Sequence, residues 1–208
     1  AHRVVRPSGP ACRVDLGHRY PDQSVMERIE AAQALKEEGN ALLKAGQHRL
    51  ALDKYNRMHA CAIGGLIQAA VGDESGAQDG SRRGGFAGML MDGKKEKLTE
   101  DQKATVKDLA KAMHSNKSLC YLKLENWDKG VDACTKALSL GADEGKIRQR
   151  RGVCYLRANN LDKAREDLER ALQLNPGDAS IARELAQLAR QEKAQDGKAK
   201  KTFQKMFG

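Results

Sequence analysis

Five side chains in this sequence could together do one piece of chemistry: Lys36, Asn40, Asn116, Lys146 and Arg150. Three are cations, two are primary amides, and none is an acid. A surface of that composition suits the capture of two neighbouring negative charges, such as a chain-terminal carboxylate together with an Asp side chain. The cations neutralise the charges, and the amides donate hydrogen bonds of fixed direction. Each charge-assisted bond contributes about 1.5–3 kcal/mol when desolvated. Ordering a short peptide offsets part of that, so micromolar affinity is expected, on the order of −8 kcal/mol.

The five converge only if a regular scaffold brings them together, and a 34-residue register supplies one. Gly152, Tyr155, Ala164, Ala171 and Pro176 fall at positions 8, 11, 20, 27 and 32 of a unit starting at Gly145. A unit starting at Lys111 places Ser118, Tyr121, Gly130 and Ala137 at the matching positions. One starting at Ala32 places Gly39, Leu42, Ala51 and Tyr55 at positions 8, 11, 20 and 24. It precedes the second unit by more than one period, so a long insertion separates them. Small residues at 8 and 20 let two helices approach closely, and large ones at 11 and 24 fill the space between them. Such a helix pair cannot bury its apolar face alone, so neighbouring pairs stack into a curved solenoid with a concave groove. Groove residues come from the first helix of each pair, at positions 2, 5, 6 and 9. Those positions include Lys36, Asn40, Asn116, Lys146 and Arg150.

Composition agrees with a helical solenoid. Charged residues make up 31% and aromatics 4% of the 208 residues, a poor recipe for a sheet protein. The net charge of +9 arises from Lys and Arg that alternate with Asp and Glu along helix faces, with few aromatics among them. That pattern predicts solvated helix faces and an anionic protein partner, not nucleic acid. Cys12, Cys61, Cys120, Cys134 and Cys154 contain no Cys-x-x-Cys pair. Cys120, Cys134 and Cys154 fall where the repeat wants a small buried hydrophobe. No metal, no cofactor and a reducing compartment are expected, so cytoplasmic placement is predicted. No apolar run reaches the length of a membrane span. The first residue is alanine, which suggests a processed chain or an excerpt. The Arg- and Pro-bearing stretch 1–22 reads as an extended or disordered arm. Its alternative is the remnant of an organelle transit segment.

Local signals place the helices. Ser24-Val-Met-Glu27 and Thr99-Glu-Asp-Gln102 are capping boxes. The first opens a helix that Gly46 ends. The next helix continues to about Ile63, where Gly64-Gly65 should stop it. Residues 72–93 are too rich in glycine to hold a helix. The helix opened at Thr99 enters the second unit early and should run over about 100–124. Asn126 and Asn159-Asn160 mark tight turns. Trp127 reads as a packing residue, and Asp178 can cap a final helix. The organisation predicted is an extended arm over 1–23 and a repeat domain over 24–208. Within it lie repeat 1 at about 32–65, a Gly-rich insertion at 66–98, repeat 2 at about 99–144, repeat 3 at 145–178 and a C-terminal helix at 179–208.

This register and punctuation resemble the tetratricopeptide repeat (TPR), which implies an all-α, three-repeat solenoid of antiparallel helix pairs with a C-terminal capping helix. The five residues resemble the carboxylate clamp of co-chaperone TPR domains, which bind the Glu-Glu-Val-Asp ends of heat-shock 90 and heat-shock 70 chaperones. Lys36 and Asn40 stand in Lys-Glu-Glu-Gly-Asn, Asn116 in Ser-Asn-Lys-Ser, and Lys146 and Arg150 in Lys-Ile-Arg-Gln-Arg. Within that group, residues 24–208 are similar to the tetratricopeptide repeat protein 9 family and to the TPR region of large immunophilins. The shared features are the insertion after the first repeat, the Leu98-Thr-Glu-Asp-Gln102 helix entry and the terminal Lys205-Met-Phe-Gly208.

The resemblance implies a non-catalytic adaptor that captures a chaperone tail. The alternative is a structural subunit of a larger complex, using the solenoid, arm and insertion as contact surfaces. An enzyme is not expected. His2, His18, His48, His59 and His114 are scattered, with His114 at a core-facing position, and the carboxylates form no constellation beyond caps and helix faces.

Overall fold

A computed structural model describes residues 24–71 and 98–207. The arm expected over 1–23 and most of the insertion expected over 66–98 lie outside the described residues. What is described is helical, in antiparallel pairs: α1 (Val25–Lys44) with α2 (His48–Arg57), α4 (Glu100–Lys123) with α5 (Trp127–Ser139), and α6 (Glu144–Arg157) with α7 (Leu161–Leu174). Between the first two pairs lies α3 (Gly64–Val71), and α8 (Ala179–Phe207) closes the order.

Both capping boxes form. The Glu27 backbone N–H donates to Ser24 Oγ at 3.3 Å, and the Ser24 N–H donates to Glu27 Oε2 at 2.8 Å. Thr99 and Gln102 repeat the exchange at 3.3 and 2.9 Å. Each pair then reverses through the same left-handed residue, Gly46 (φ +74), Glu125 (φ 56) and Asn159 (φ 61). The following N–H groups, of Gln47, Asn126 and Asn160, donate back to the carbonyls of Leu42, Tyr121 and Tyr155 at 2.9–3.0 Å. These are the residues at position 11 of each unit, so one Schellman turn is built three times.

The close approach of paired helices is enforced by residue size. A Cβ on Gly39 would lie 2.6 Å from the Tyr55 ring, and one on Gly152 would lie 2.8 Å from Leu168 Cγ. In the middle pair the larger partner is replaced by Cys134, and there Ser118 fits, fully buried, its hydroxyl donating to the Ser115 carbonyl at 2.7 Å. Position 8 therefore shrinks when position 24 grows. Cys120 and Cys154 are also buried thiols, as expected of small hydrophobes.

One boundary differs from the expectation. Gly64-Gly65 does not stop the helix: α2 passes through a π-helical segment, Met58–Ile63, directly into α3. In the wider turn the Gly64 N–H donates to His59 O, and a Cβ there would sit 2.4 Å from that oxygen. The glycine admits the π turn rather than breaking the chain, and Arg28 Nε donates to the Ala62 carbonyl at 3.1 Å. Residues 66–71, grouped by sequence with the Gly-rich stretch, are thus helical. Leu66 packs with Leu98 and Val106 in the core that α1, α2 and the early turns of α4 share. α8 lies against α6 and α7, burying Ile181 and Leu188, with Asp178 accepting the Ser180 N–H at 2.8 Å at its start.

Candidate functional site

The groove is made by α1, α4 and α6, which lie side by side. α1 and α4 are parallel and in register. Gln102 Nε2 reaches Met26 Sδ at 3.5 Å near their starts, and Asn116 Nδ2 donates to Asn40 Oδ1 at 2.7 Å near their ends; both pairs are 76 residues apart. α6 joins through Arg150, whose Nη1 donates to the Ser115 carbonyl at 2.9 Å. Asn40 and Asn116 are therefore joined directly, and Arg150 is tied to α4 at the residue before Asn116, which links three helices from three repeats.

Asn40 Oδ1 also accepts the Tyr55 hydroxyl at 2.8 Å. Burial pushes that phenol up to about 12, so it remains a donor through the neutral range. With its oxygen committed twice, Asn40 keeps both amide N–H bonds for a ligand. Burial also pushes the Arg150 guanidinium below its ordinary value, yet leaves it cationic. Its one bond to Ser115 leaves further N–H donors on the fork.

Lys36 and Lys146 sit one helical turn before Asn40 and Arg150 on their own helices. Lys36 makes no ion pair among the described residues. Lys146 Nζ is 3.3 Å from Asp143 Oδ2, and its side chain is 72% exposed, so a ligand carboxylate can displace that partner cheaply. Donation from the Lys146 backbone N–H to Asp143 holds that carboxyl below the usual carboxylate range. The structure thus joins two of the five expected residues directly, anchors Arg150 one residue away at Ser115, and sets the two lysines one turn off along α1 and α6.

The rotation of α6 is fixed from behind. Asp167, nearly fully buried, accepts from Arg148 at 3.0 Å and from Arg151 at 2.6 and 2.8 Å. Arg151 also reaches Thr135 Oγ1 of α5 at 3.2 Å. This clasp holds one face of α6 against α5 and α7 and turns Lys146 and Arg150 to the opposite face. Sequence reasoning missed Tyr55, Ser115 and Asp167. Tyr55 had a signal, since it is the polar choice at a position that Leu168 fills with hydrocarbon. Ser115 acts through its backbone, which no residue type reveals.

Among the described residues no group of three His, Cys, Asp or Glu is placed to hold a metal ion. No described helix is long and apolar enough to cross a membrane.

The tetratricopeptide repeat family model matches residues 146–178. Peptidyl-prolyl cis-trans isomerase FKBP42 of Arabidopsis thaliana is 29% identical over 191 residues, 92% of this chain and 45% of that protein. The chain spans less than half the length of the curated relatives it matches. Among solved structures, the C-terminal TPR-containing domain of a Plasmodium falciparum FK506-binding protein superposes with a TM-score of 0.64 at 20% identity, over 85% of this chain and 97% of that one. The first TPR of Spaghetti (RPAP3), bound to HSP90 peptide SRMEEVD, does so with a TM-score of 0.51 at 19% identity, over 77% and 92%. Matched repeat, helix order and neighbours agree: the chain is a tetratricopeptide-repeat solenoid, similar to the TPR-containing regions of FK506-binding-type immunophilins.

Proposed function

We propose that this chain is a non-catalytic adaptor whose groove captures the acidic C-terminal peptide of heat-shock 90 or heat-shock 70 chaperones. The observation that carries the reading is the bonded pair Asn40–Asn116 with Arg150 anchored beside it at the Ser115 carbonyl, from three repeats. A terminal carboxylate laid there meets the free amide of Asn40 and the guanidinium of Arg150. Lys36 and Lys146 stand one turn away, within reach of the Asp side chain that ends such a tail. Two like charges on one short peptide match a surface whose cations are fixed by helices and whose acid beside Lys146, Asp143, is exposed. Similarity to a TPR domain bound to an HSP90 peptide supports the same partner class.

The test is calorimetry with a peptide ending in Glu-Glu-Val-Asp, beside its C-terminally amidated form. Micromolar binding of the free acid is expected, with a loss of at least tenfold on amidation, on Lys36→Ala and on Arg150→Glu. Equal binding of acid and amide, or full affinity in Arg150→Glu, would sink the reading.

A further inference from the structure

The groove uses only one side of α4. At about 100° per residue, His114, Lys117 and Tyr121 project from a different side of that helix than Asn116. There they face Lys129, Asp132 and Lys136 of α5 around a cleft of about 130 Å³. His114 forms its floor, 6% exposed, and its ring meets that of His59, from the π-helical segment, edge-on with centroids 6.2 Å apart.

Of the lysines in this cleft, Lys117 combines partial burial with a second lysine as its charged neighbour. Lys54, Lys103, Lys111 and Lys146 each pair with a carboxylate. Among the described residues Lys117, Lys129 and Lys136 pair with none, although Asp132 lines the same cleft. Lys117 is half-buried, and burial first, then the charge of Lys136, pulls its ammonium below the ordinary value. The charge of Lys136 thus reaches a half-buried ammonium that makes no ion pair of its own, and an anion entering the cleft would relieve that repulsion.

We propose that the α4–α5 cleft is a binding site for a phosphate-class oxyanion, free or carried on a side chain of another protein. The space is well below the roughly 300–1,000 Å³ of pockets for larger organic ligands. Three lysines and Tyr121 line it against one carboxylate, Asp132, which leaves a net positive lining suited to a dianion with several acceptor oxygens. A carboxylate brings one charge and two oxygens and would leave the repulsion partly uncompensated. This site is separate from the peptide groove, and both can be filled at once.

The experiment is an NMR titration of the intact chain with inorganic phosphate, against chloride at matched ionic strength. Lys117, Lys136 and the His114 ring should shift saturably with phosphate alone. The charged and titratable groups facing His114 are His59, Lys117 and Lys136, with Lys129, Asp132 and Tyr121 around the cleft. A bound dianion among them should move the His114 titration upward. Lys117→Gln with Lys136→Gln should weaken phosphate at least tenfold while helical circular dichroism is kept, and Lys146→Ala should leave it unchanged. A phosphoserine peptide binding more tightly than the free ion identifies a protein-borne ligand, and equal binding identifies the free ion. Shifts that are linear and equal in chloride, or full binding in the folded double variant, overturn the proposal.

Discussion

Asn116 donates from Nδ2 to Asn40 Oδ1 at 2.7 Å, and the same oxygen accepts the buried Tyr55 hydroxyl at 2.8 Å. One atom thus ties the first repeat to the second and the groove to the core beneath it. Tyr55→Phe should therefore cost about 1 kcal/mol of stability. Asn40→Ala should cost more, about 1–3 kcal/mol, because it leaves the Tyr55 hydroxyl buried without an acceptor. Urea unfolding of the two variants gives the order. If the groove is read correctly, only Asn40→Ala also loses the acidic peptide in calorimetry.

Arg150 bonds the Ser115 carbonyl with one nitrogen and offers the rest of its fork outward. Lysine in its place keeps the charge but cannot make both contacts at once. Arg150→Lys should lower peptide affinity by about 1–2 kcal/mol, roughly five- to thirtyfold, and leave the salt dependence nearly unchanged. Titrations at two ionic strengths separate the lost geometry from lost charge.

The three left-handed turn residues are Gly46, Glu125 and Asn159. Glutamate is the poorest of the three for that conformation, because its Cβ crowds the following carbonyl. Glu125→Gly should raise stability by about 0.5–1 kcal/mol, and Gly46→Ala should lower it by a similar amount. Denaturant midpoints at constant m-value are the readout.

Asp167 is 3% exposed between Arg148 and Arg151, which are 25% and 18% exposed. Asp167→Asn removes the shared counter-charge and should destabilise by about 3 kcal/mol, the cost of breaking a buried pair. Because the same clasp orients α6, peptide binding should weaken in the fraction that remains folded.

Folding depresses the His114 pKa from 6.5 to about 4, first by burial and then through Lys117, His59 and Lys136. The unfolded chain takes up the proton more readily between those values, so stability must fall as the pH drops from 6.5 toward 4. Above that window the contribution is fully present. The loss should reach about 2 kcal/mol, and His114→Gln should flatten it. Unfolding free energies at pH 7 and pH 4.5 in both proteins decide this.

Much of this arrangement can be read from residue order alone. Position-specific small residues, Gly39, Ser118, Gly152 and Gly130, give the pairing of helices because size at a contact is a property of the residue itself. Ser24 and Thr99 mark helix starts for the same reason: their chemistry acts within one turn. The groove residues are visible as types at set positions. Their mutual bonds are not, because Ser115 contributes a carbonyl that every residue has. The passage through Gly64-Gly65 escapes for a related cause. A glycine pair weakens a helix on propensity, and the burial of Leu66 in a core shared with residues distant in sequence, such as Leu98 and Val106, overrules that local preference.

The wide turn at Met58–Ile63 changes the phase of everything after it. A π turn takes about one residue more than an α turn, so the side chains of α3 are rotated by about 100° from where an unbroken α-helix would aim them. Deleting Ala60 would restore regular winding and, in doing so, swing the buried Leu66 out of the shared core and present its hydrocarbon to water. The segment is thus a length setting, one residue long, that decides which edge of the stem faces its neighbour.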